Sequence, residues 1–261
     1  MAEPVRGAQL VSRVGRILKA VGEHPGGLST AAAAHATGLT RPTTHRLLTS
    51  LAIEGFVDHD SANGRWFLGP ELYLLGSLAA DRYDITDAAR ESVRLLARET
   101  GESAFFSARR GSETVCLLRE EGSFPVRSFV LREGVRFPLG VASAGLAILA
   151  YLPEEEVERH LASAALERQW GPQHATDALR ARIAETRETG YAVNPALILE
   201  GSWGMGAAVF DAVGRPQWAL SLTGIEPRFR PERRPELGRL LLEQAHEVSK
   251  RLGAGRPGAG R

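Results

Sequence analysis

The sequence predicts an α+β fold in two parts, with short helices and one β-hairpin first and a larger mixture of helices and strands after them. The chain has 261 residues, more than one average domain needs. Gly69-Pro70 separates the two patterns and marks the expected domain edge. Hydrophobic residues make up 43% and charged residues 24%, which is typical of a globular protein with a buried core and excludes a disordered or disulfide-scaffold chain.

Charge and cysteine content narrow the possible class of protein further. Basic and acidic residues number 32 and 31, so any contact with nucleic acid must come from a local basic patch. Cys116 is the only cysteine, which leaves no intramolecular disulfide and no cysteine-rich zinc site. The N-terminus lacks a secretory signal pattern, and no apolar run approaches the ~18 residues of a membrane span. We expect a soluble cytoplasmic protein that does not enter membranes.

The first predicted helix has one apolar face. Pro25 and the two glycines after it end this helix. Four apolar side chains recur at i, i+3, i+4 and i+7, the spacing of a buried helix face: Val14, Ile17, Leu18 and Val21.

Two further helices are predicted from their caps. Ser29 is the expected N-cap of a helix over residues 30–37, which Gly38 ends. Thr40 is the expected N-cap of a third helix, which continues to about Glu54.

A β-hairpin follows the third helix. The strands over residues 56–60 and 65–68 flank Asn63-Gly64, a turn pair that tolerates positive φ. Three short helices followed by such a hairpin predict a winged helix-turn-helix.

The third helix and the hairpin have the chemistry expected of a DNA-reading surface. Leucines on the rear face of the helix would hold it in the core, while short polar and basic side chains face outward. Arg65, beside the hairpin turn, is placed for a phosphate or minor-groove contact. A solvated helix face in a protein-binding module is the alternative. The candidate DNA-binding residues are Thr40, Arg41, Thr43, Thr44, His45, Arg46 and Arg65.

The sequence after Pro70 predicts a connecting helix, followed by a domain that contains both helices and strands. Leu72, Leu75 and Ala79 form the apolar stripe of the connecting helix, which suits dimer packing. Further helices are expected over residues 84–100, 143–151, 154–161, 177–189 and 235–252, and strands over residues 104–108, 114–119, 126–131, 205–210 and 218–223.

Motifs in both parts resemble those of IclR-type transcriptional regulators, in the same order over about residues 8–252. In the first part they are RVGRIL at 13–18, HPGGL at 24–28, THRLL at 44–48, EGF at 54–56 and LGP at 68–70. In the second part they are FPL at 137–139, ASAG at 142–145, TGYA at 189–192 and AAVFD at 207–211.

The resemblance implies a domain organisation and a function. It implies a winged helix-turn-helix DNA-binding domain over 8–70, a linker helix over 71–84 and a GAF-like α/β effector-binding domain over 85–252. The tail over 253–261 is rich in Gly, Pro and Arg, which predicts disorder. The implied protein is a homodimer or homotetramer that binds double-stranded operator DNA. A small-molecule effector, such as an organic acid or aromatic compound, would control its affinity for that DNA.

The resemblance also implies a ligand pocket. The family's oxyanion-binding backbone falls on Ser143 and Ala144, at the start of a helix. Its polar contacts on a later strand fall on Ser221 and Thr223. The remaining implied pocket positions are Asn194, Trp203 and Gly204, where the first and last depart from the family's aspartate and cysteine. A helix cap or sheet filler is the alternative for each pocket residue.

The sequence gives little support for enzymatic activity or metal binding. Ala142-Ser143-Ala144-Gly145 lacks the first glycine of a nucleophile elbow, and the histidines show no metal-ligand spacing. We therefore expect no cofactor, no metal and no enzymatic activity. The alternative function is a small-molecule-binding or catalytic α/β domain with a winged helix used for protein assembly.

Overall fold

The computed structural model describes residues 8–80, 85–126 and 130–254. The chain divides into two compact units, one ending at Tyr83 and the other beginning at Asp84. Residues 81–84 of the predicted linker helix and residues 255–261 of the predicted tail lie outside the described residues. Within the described part, no helix is long and apolar enough to span a membrane.

The N-terminal unit has the predicted helices and hairpin. Its strands form an antiparallel sheet in the order β1-β3-β2. The elements are α1 (Ala8–Gly22), β1 (Leu28–Ser29), α2 (Thr30–Thr37), α3 (Arg41–Ile53), β2 (Val57–Asp60), β3 (Arg65–Leu68) and α4 (Pro70–Ala80).

Local hydrogen bonds explain where the second and third helices begin. The Ser29 hydroxyl accepts a hydrogen bond from Ala32 N at 3.2 Å, and the Thr40 hydroxyl accepts one from Thr43 N at 3.4 Å. Gly38 ends α2 with a φ of 66°, a conformation that favours glycine. Both predicted N-caps and the predicted end of α2 are confirmed.

Trp66 joins the hairpin to the helices of the N-terminal unit. Its ring is buried with Ile17, Leu48 and Val57, and its indole Nε1 donates to the Thr30 hydroxyl at 2.9 Å. The hairpin therefore has a fixed position on the helical core.

The C-terminal unit is built on a six-stranded antiparallel sheet in the order β6-β5-β4-β9-β8-β7. Its strands are β4 (Ser103–Arg110), β5 (Glu113–Glu120), β6 (Arg136–Pro138), β7 (Ala192–Pro195), β8 (Ser202–Phe210) and β9 (Pro216–Ile225). Its helices are α5 (Ile85–Thr100), α6 (Ser143–Ala150), α7 (Glu154–Ser163), α8 (Leu166–Trp170), α9 (Thr176–Thr189) and α10 (Arg234–Ala254), with 3-10 turns at Pro172–His174 and Glu226–Arg228.

The sheet separates two cores. Phe106 packs with apolar residues of α5 and α10, whereas its neighbour Phe105 packs with residues of α6, α7 and α9. This alternation follows from the two-residue period of a strand. Ala219 of β9 lies on the α6 side of the sheet, so Ser221 and Thr223 face the same side.

The strand predicted over residues 126–131 is wrong in the part that the structure describes. Residues 127–129 lie outside the described residues, and Val126, Val130 and Leu131 are not in a strand. The edge strand is β6 instead, which has three residues, ends in proline and pairs with β5. So short a strand shows no alternating pattern in the sequence.

A buried carboxylate fixes the start of β4. The Glu102 side chain is 1% exposed, and its Oε1 accepts hydrogen bonds from Arg228 Nε and Arg233 Nη1, both at 2.7 Å. The next residue, Ser103, pairs with Thr223 across the sheet. This ion-pair network therefore holds the end of β9 that carries Thr223.

We expect Glu102→Ala to lower the free energy of unfolding by about 2–4 kcal/mol, because it leaves two arginines without their buried counter-ion. Because both arginines are partly exposed, at 30% and 25%, water can solvate them after the substitution, and we expect a loss in the lower half of that range. Urea denaturation measures the loss. Glu243→Ala is the control, since it breaks only an exposed pair with Arg239. Equal effects of the two substitutions would contradict this role of Glu102.

Candidate DNA-binding and effector-binding sites

The third helix presents a basic, polar face to solvent. Arg41, His45 and Arg46 are exposed, as is the N-cap Thr40, while Thr43 is half-buried. Neither arginine makes an ion pair within the described part of the chain. In the first turn, Pro42 has no N–H and Thr43 N is capped by Thr40, so the Arg41 N–H is the backbone donor left at the end where the helix dipole favours a phosphate. This face has the chemistry that DNA requires.

Thr44 does not belong to that face. Its side chain is fully buried beside Leu48, and its hydroxyl donates to the Thr40 carbonyl at 3.1 Å. Thr44 precedes Leu47, Leu48 and Leu51 by three, four and seven residues, the spacing of the buried face. Its assignment as a DNA-binding residue is therefore wrong. Thr49, which is exposed three residues after Arg46, was missed and completes the outer face.

The hairpin turn is held by its own polar groups. The Asp60 carboxylate accepts from Ala62 N at 2.8 Å and from Asn63 Nδ2 at 2.5 Å. Only Gly64 of the predicted turn pair has a positive φ, 68°. Arg65 is exposed, but its Nη1 already donates to the carbonyls of Gly26 and Gly27, at 3.3 and 2.9 Å. Any DNA contact by Arg65 must use its other N–H groups.

The seven implied effector residues line one cavity of the C-terminal unit. Together with the space at its open mouth, it has a volume of about 380 Å³. Ser143, Ala144, Asn194, Trp203, Gly204, Ser221 and Thr223 all line it. The rest of the wall is mainly apolar and was not identified from the sequence: Val130, Leu131, Phe137, Ala142, Ile198 and the polar Ser202.

Two glycines bring the start of α6 against the sheet. Gly206 pairs with Ser221 and Gly204 with Thr223 across β8 and β9. A Cβ on Gly206 would lie 3.1 Å from Ala144 N, and one on Gly204 would lie 3.1 Å from the Ser143 hydroxyl. The missing side chains therefore let the helix N-terminus sit beside the hydroxyls of β9. The register of two strands is needed to see this, so the role of Gly206 was missed.

The cavity contains polar groups that have no partner. Ser221 Oγ, Thr223 Oγ1 and Trp203 Nε1 are buried and make no hydrogen bond to any described residue. Leaving such groups unsatisfied is costly, so each calls for a partner such as a water, an ion or a ligand. With the N–H groups of the first turn of α6, they supply donors and acceptors for a bound molecule.

Asn194 has a different role from the one expected. Its Nδ2 donates to the Val141 carbonyl at 2.6 Å, and its Oδ1 accepts from Leu197 N at 3.1 Å. The amide therefore joins β7 to the segment before α6. Asn194 lines the cavity and fixes its shape, but its amide is already engaged by the backbone.

Trp203 forms a wall that is covered from outside. The Arg234 guanidinium lies 4.7 Å from the centre of the indole ring, a cation–π contact. Arg234 Nε also donates to the Phe229 carbonyl at 2.8 Å. This arrangement holds the ring in place at the first turn of α10.

Cys116 is a core residue, as its place in an apolar strand predicts. Its side chain is buried in the cluster around Phe105, and burial raises the pKa of the thiol to about 12. Within the described part of the chain, no cluster of His, Cys, Asp and Glu is arranged to hold a metal ion.

Comparison with known families identifies both units of the chain. Residues 10–61 match the IclR helix-turn-helix domain, and residues 77–250 match the C-terminal domain of the bacterial transcriptional regulator IclR. The chain belongs to the IclR family of transcriptional regulators. It is therefore a DNA-binding regulator with an effector-binding domain and not an enzyme, which sets aside the catalytic alternative.

Curated relatives agree with this IclR-family assignment along nearly the whole chain. The HTH-type transcriptional repressor AllR of Escherichia coli K12 is 30% identical over 97% of this chain and 94% of its own length. The HTH-type transcriptional regulator KipR of Bacillus subtilis is 30% identical over 83% of this chain and 86% of its own.

Solved structures of the family have the same fold. The IclR protein of Thermotoga maritima is 27% identical, with a TM-score of 0.71 over 94% of this chain and 99% of its own. An IclR homologue of Microbacterium hydrocarbonoxydans, crystallised with 4-hydroxybenzoate, is 23% identical, with a TM-score of 0.76 over 94% of this chain and 100% of its own.

Proposed function

We propose that this IclR-family regulator reads its operator with the outer face of α3 and the hairpin, and that the cavity of the C-terminal unit holds its effector. The proposed DNA contacts are made by Thr40, Arg41, Thr43, His45, Arg46, Thr49 and Arg65. The observation that carries the effector site is the group of buried, unpartnered hydroxyls of Ser221 and Thr223 beside the N-terminus of α6. The protein acts in the cytoplasm, where bacterial DNA lies.

The cavity favours a small, largely apolar ligand with one acidic or carbonyl group. No described residue on its wall is ionisable. The N–H groups of Ser143 and Ala144 would hold a carboxylate, because helix N-termini favour negative charge. The Ser221 and Thr223 hydroxyls would orient it, and Trp203 Nε1 offers a further donor. The indole and the Phe137 ring suit an aromatic or similarly flat ligand.

DNA selection followed by ligand titration tests this function. The purified full-length protein should enrich a few fragments of its own genome that share a roughly palindromic site. A panel of aromatic and aliphatic acids, beginning with 4-hydroxybenzoate, is then titrated against the selected fragment. We expect at least one acid to change operator affinity by about 5- to 150-fold, the usual range of allosteric coupling. The absence of any enriched fragment would contradict the DNA-binding proposal.

We also propose that the protein is a homodimer or homotetramer, with α4 in the contact between copies. Four large side chains of α4 are uncovered in the single chain, which is unusual for one short helix. Tyr73 and Leu78 are each 77% exposed, and Leu74 and Leu75 are 50% and 49% exposed. A second copy would cover the side of α4 that carries Leu74, Leu75 and Leu78, and it would supply the second winged helix that a palindromic site needs. Because α4 follows the hairpin directly, it is also the proposed transmitter of the effector signal.

The α4 contact predicts that Leu75→Glu/Leu78→Glu produces monomers. Burying four carboxylates between two copies of α4 is unfavourable, so association should be lost. Light scattering at micromolar concentration measures the state, and operator affinity should fall in parallel. Val213→Glu is the control, since Val213 is 71% exposed in a turn of the C-terminal unit. An unchanged oligomer in the double variant would contradict the role of α4.

A further inference from the structure

The guanidinium group of Arg182 is buried and has no counter-ion among the described residues. It lies on α9, and all three of its guanidinium nitrogens are buried with no hydrogen-bond partner among the described residues. Its neighbours on the same helix are paired: Arg180 with Glu158 at 2.7 Å and Arg187 with Glu154 at 3.1 Å. Burial lowers the pKa of Arg182 to about 10, so the group is still charged at pH 7. A buried unpaired charge is unfavourable and needs a compensating partner.

Two side chains near Arg182 in the sequence, those of His174 and Trp170, also have buried nitrogens without a hydrogen-bond partner among the described residues. His174 is 1% exposed, and its Nδ1 donates to the Trp170 carbonyl at 3.0 Å. His174 Nε2 lies near the Val141 carbonyl without reaching hydrogen-bond geometry, and Trp170 Nε1 is also buried without a partner. Burial, and then the charge of Arg182, lower the pKa of His174. His174 thus links the two residues, since its ring lies 6.4 Å from the ring of Trp170 and close enough to Arg182 for that charge to act on it.

This cluster of Arg182, His174 and Trp170, the donor cluster, is separate from the effector cavity. None of its three residues lines that cavity. Phe137 does, and the Trp170 ring packs edge-on against it at 5.7 Å. The Val141 carbonyl near His174 also accepts the hydrogen bond from Asn194 of the cavity wall. The donor cluster therefore contacts the back of the wall that would surround the effector.

We propose that the donor cluster binds a small oxyanion, of the carboxylate or the sulfate and phosphate type, with Arg182 as its main ligand. The guanidinium presents up to five N–H donors in a planar fork that matches such anions. Its nitrogens are enclosed within a single chain, so a small ion suits the site better than a side chain of a partner protein. Trp170 Nε1 adds a neutral donor.

The nearest alternative counter-ion is Glu185. It lies three residues after Arg182 on α9, is exposed, and makes no ion pair with Arg182. Its charge opposes part of the effect of burial on the pKa of Arg182. A change in the rotamer of Glu185 is therefore the outcome that an experiment must separate from a bound anion.

Thermal unfolding of the full-length protein in sodium sulfate and in sodium acetate tests the proposal. Ionic strength is held constant with sodium chloride, so that charge screening is the same in every sample, and the general stabilising effect of sulfate is recognised because it does not saturate. We expect the unfolding midpoint to rise and saturate, by about 3–6 °C at a tenfold excess over the dissociation constant, with at least one of the two anions. The anion that saturates the rise at the lower concentration binds more tightly, and it identifies the site as a sulfate-type or a carboxylate site.

Matched variants of α9 decide which group is responsible. Arg182→Met should abolish the saturable rise yet unfold no earlier than the wild type in chloride, because it removes an unpaired buried charge. Arg182→Lys should retain part of the rise, and Arg180→Met and Glu185→Gln should retain all of it. A rise that persists in Arg182→Met, or its absence from the wild type with both anions, would overturn the proposal. A loss of stability in chloride shared by Arg182→Met and Glu185→Gln would identify Glu185 as the counter-ion and overturn it too.

Discussion

Replacing Arg41 and Arg46 together with alanine should weaken operator binding by at least about 100-fold, since each such contact contributes about 1–3 kcal/mol and a two-fold complex loses it twice. Both side chains are exposed in the first two turns of α3 and have no ion pair among the described residues. Contacts to bases would relax the sequence preference. Contacts to phosphates would instead make the salt dependence of binding shallower by about 0.9 in the logarithmic slope for each one lost.

Two controls separate this effect from net charge and from helix stability. Arg180→Ala/Arg239→Ala removes the same charge from exposed, ion-paired positions of the C-terminal unit and should leave operator affinity nearly unchanged. Thr44→Val removes a buried hydroxyl on α3 that bonds only to the Thr40 carbonyl, and it should also retain affinity. Fluorescence anisotropy with a labelled operator measures all three variants. Full affinity in Arg41→Ala/Arg46→Ala would exclude α3 as the reading helix.

Ser221→Ala/Thr223→Val should weaken effector binding by about 10- to 100-fold or more, because each lost hydrogen bond leaves a polar group of the ligand unpaired at a cost of about 1–3 kcal/mol. The effect on folding should have the opposite sign. Both hydroxyls are buried without a partner in the ligand-free chain, so their removal should leave the unfolding midpoint unchanged or raise it. Isothermal titration calorimetry and thermal unfolding measure the two quantities on the same sample.

A hydroxyl that already donates a hydrogen bond within the chain provides the control. Thr186 Oγ1 donates to the Arg182 carbonyl at 2.7 Å and lies on α9, outside the effector cavity. Thr186→Val should therefore leave effector affinity unchanged. A double variant of Ser221 and Thr223 that melts much earlier than the wild type would mean that the two hydroxyls are sheet filler.

The sequence is sufficient where a feature depends on neighbouring residues. Ser29, Gly38 and Thr40 cap their helices through groups three or four residues away, and all three were predicted. Thr44 was predicted wrongly because its polarity was given more weight than its position. Its hydroxyl is satisfied within the helix, which lets a threonine occupy the stripe that leads to Leu48 and Leu51.

Features that depend on distant residues could not be predicted in this way. The role of Asn194 depends on Val141, 53 residues away, and the role of Gly206 depends on its pairing with Ser221 and its contact with Ala144. The unpaired state of Arg182 likewise follows from its enclosure, since Arg180 and Arg187 are similar in sequence but paired at the surface. The resemblance to a family supplied the cavity residues, whereas their hydrogen bonds required the structure.

The separation of effector control from DNA binding is tested most directly by four operator titrations. The wild type and Ser221→Ala/Thr223→Val are each titrated with and without an acid that shifts wild-type operator affinity. We expect the two ligand-free affinities to agree within about twofold, because the C-terminal hydroxyls do not contribute to the DNA-reading face, and we expect the ligand to shift only the wild type. An equal ligand shift in both proteins, or a parallel loss of ligand-free operator affinity and melting temperature in the variant, would contradict control through this cavity.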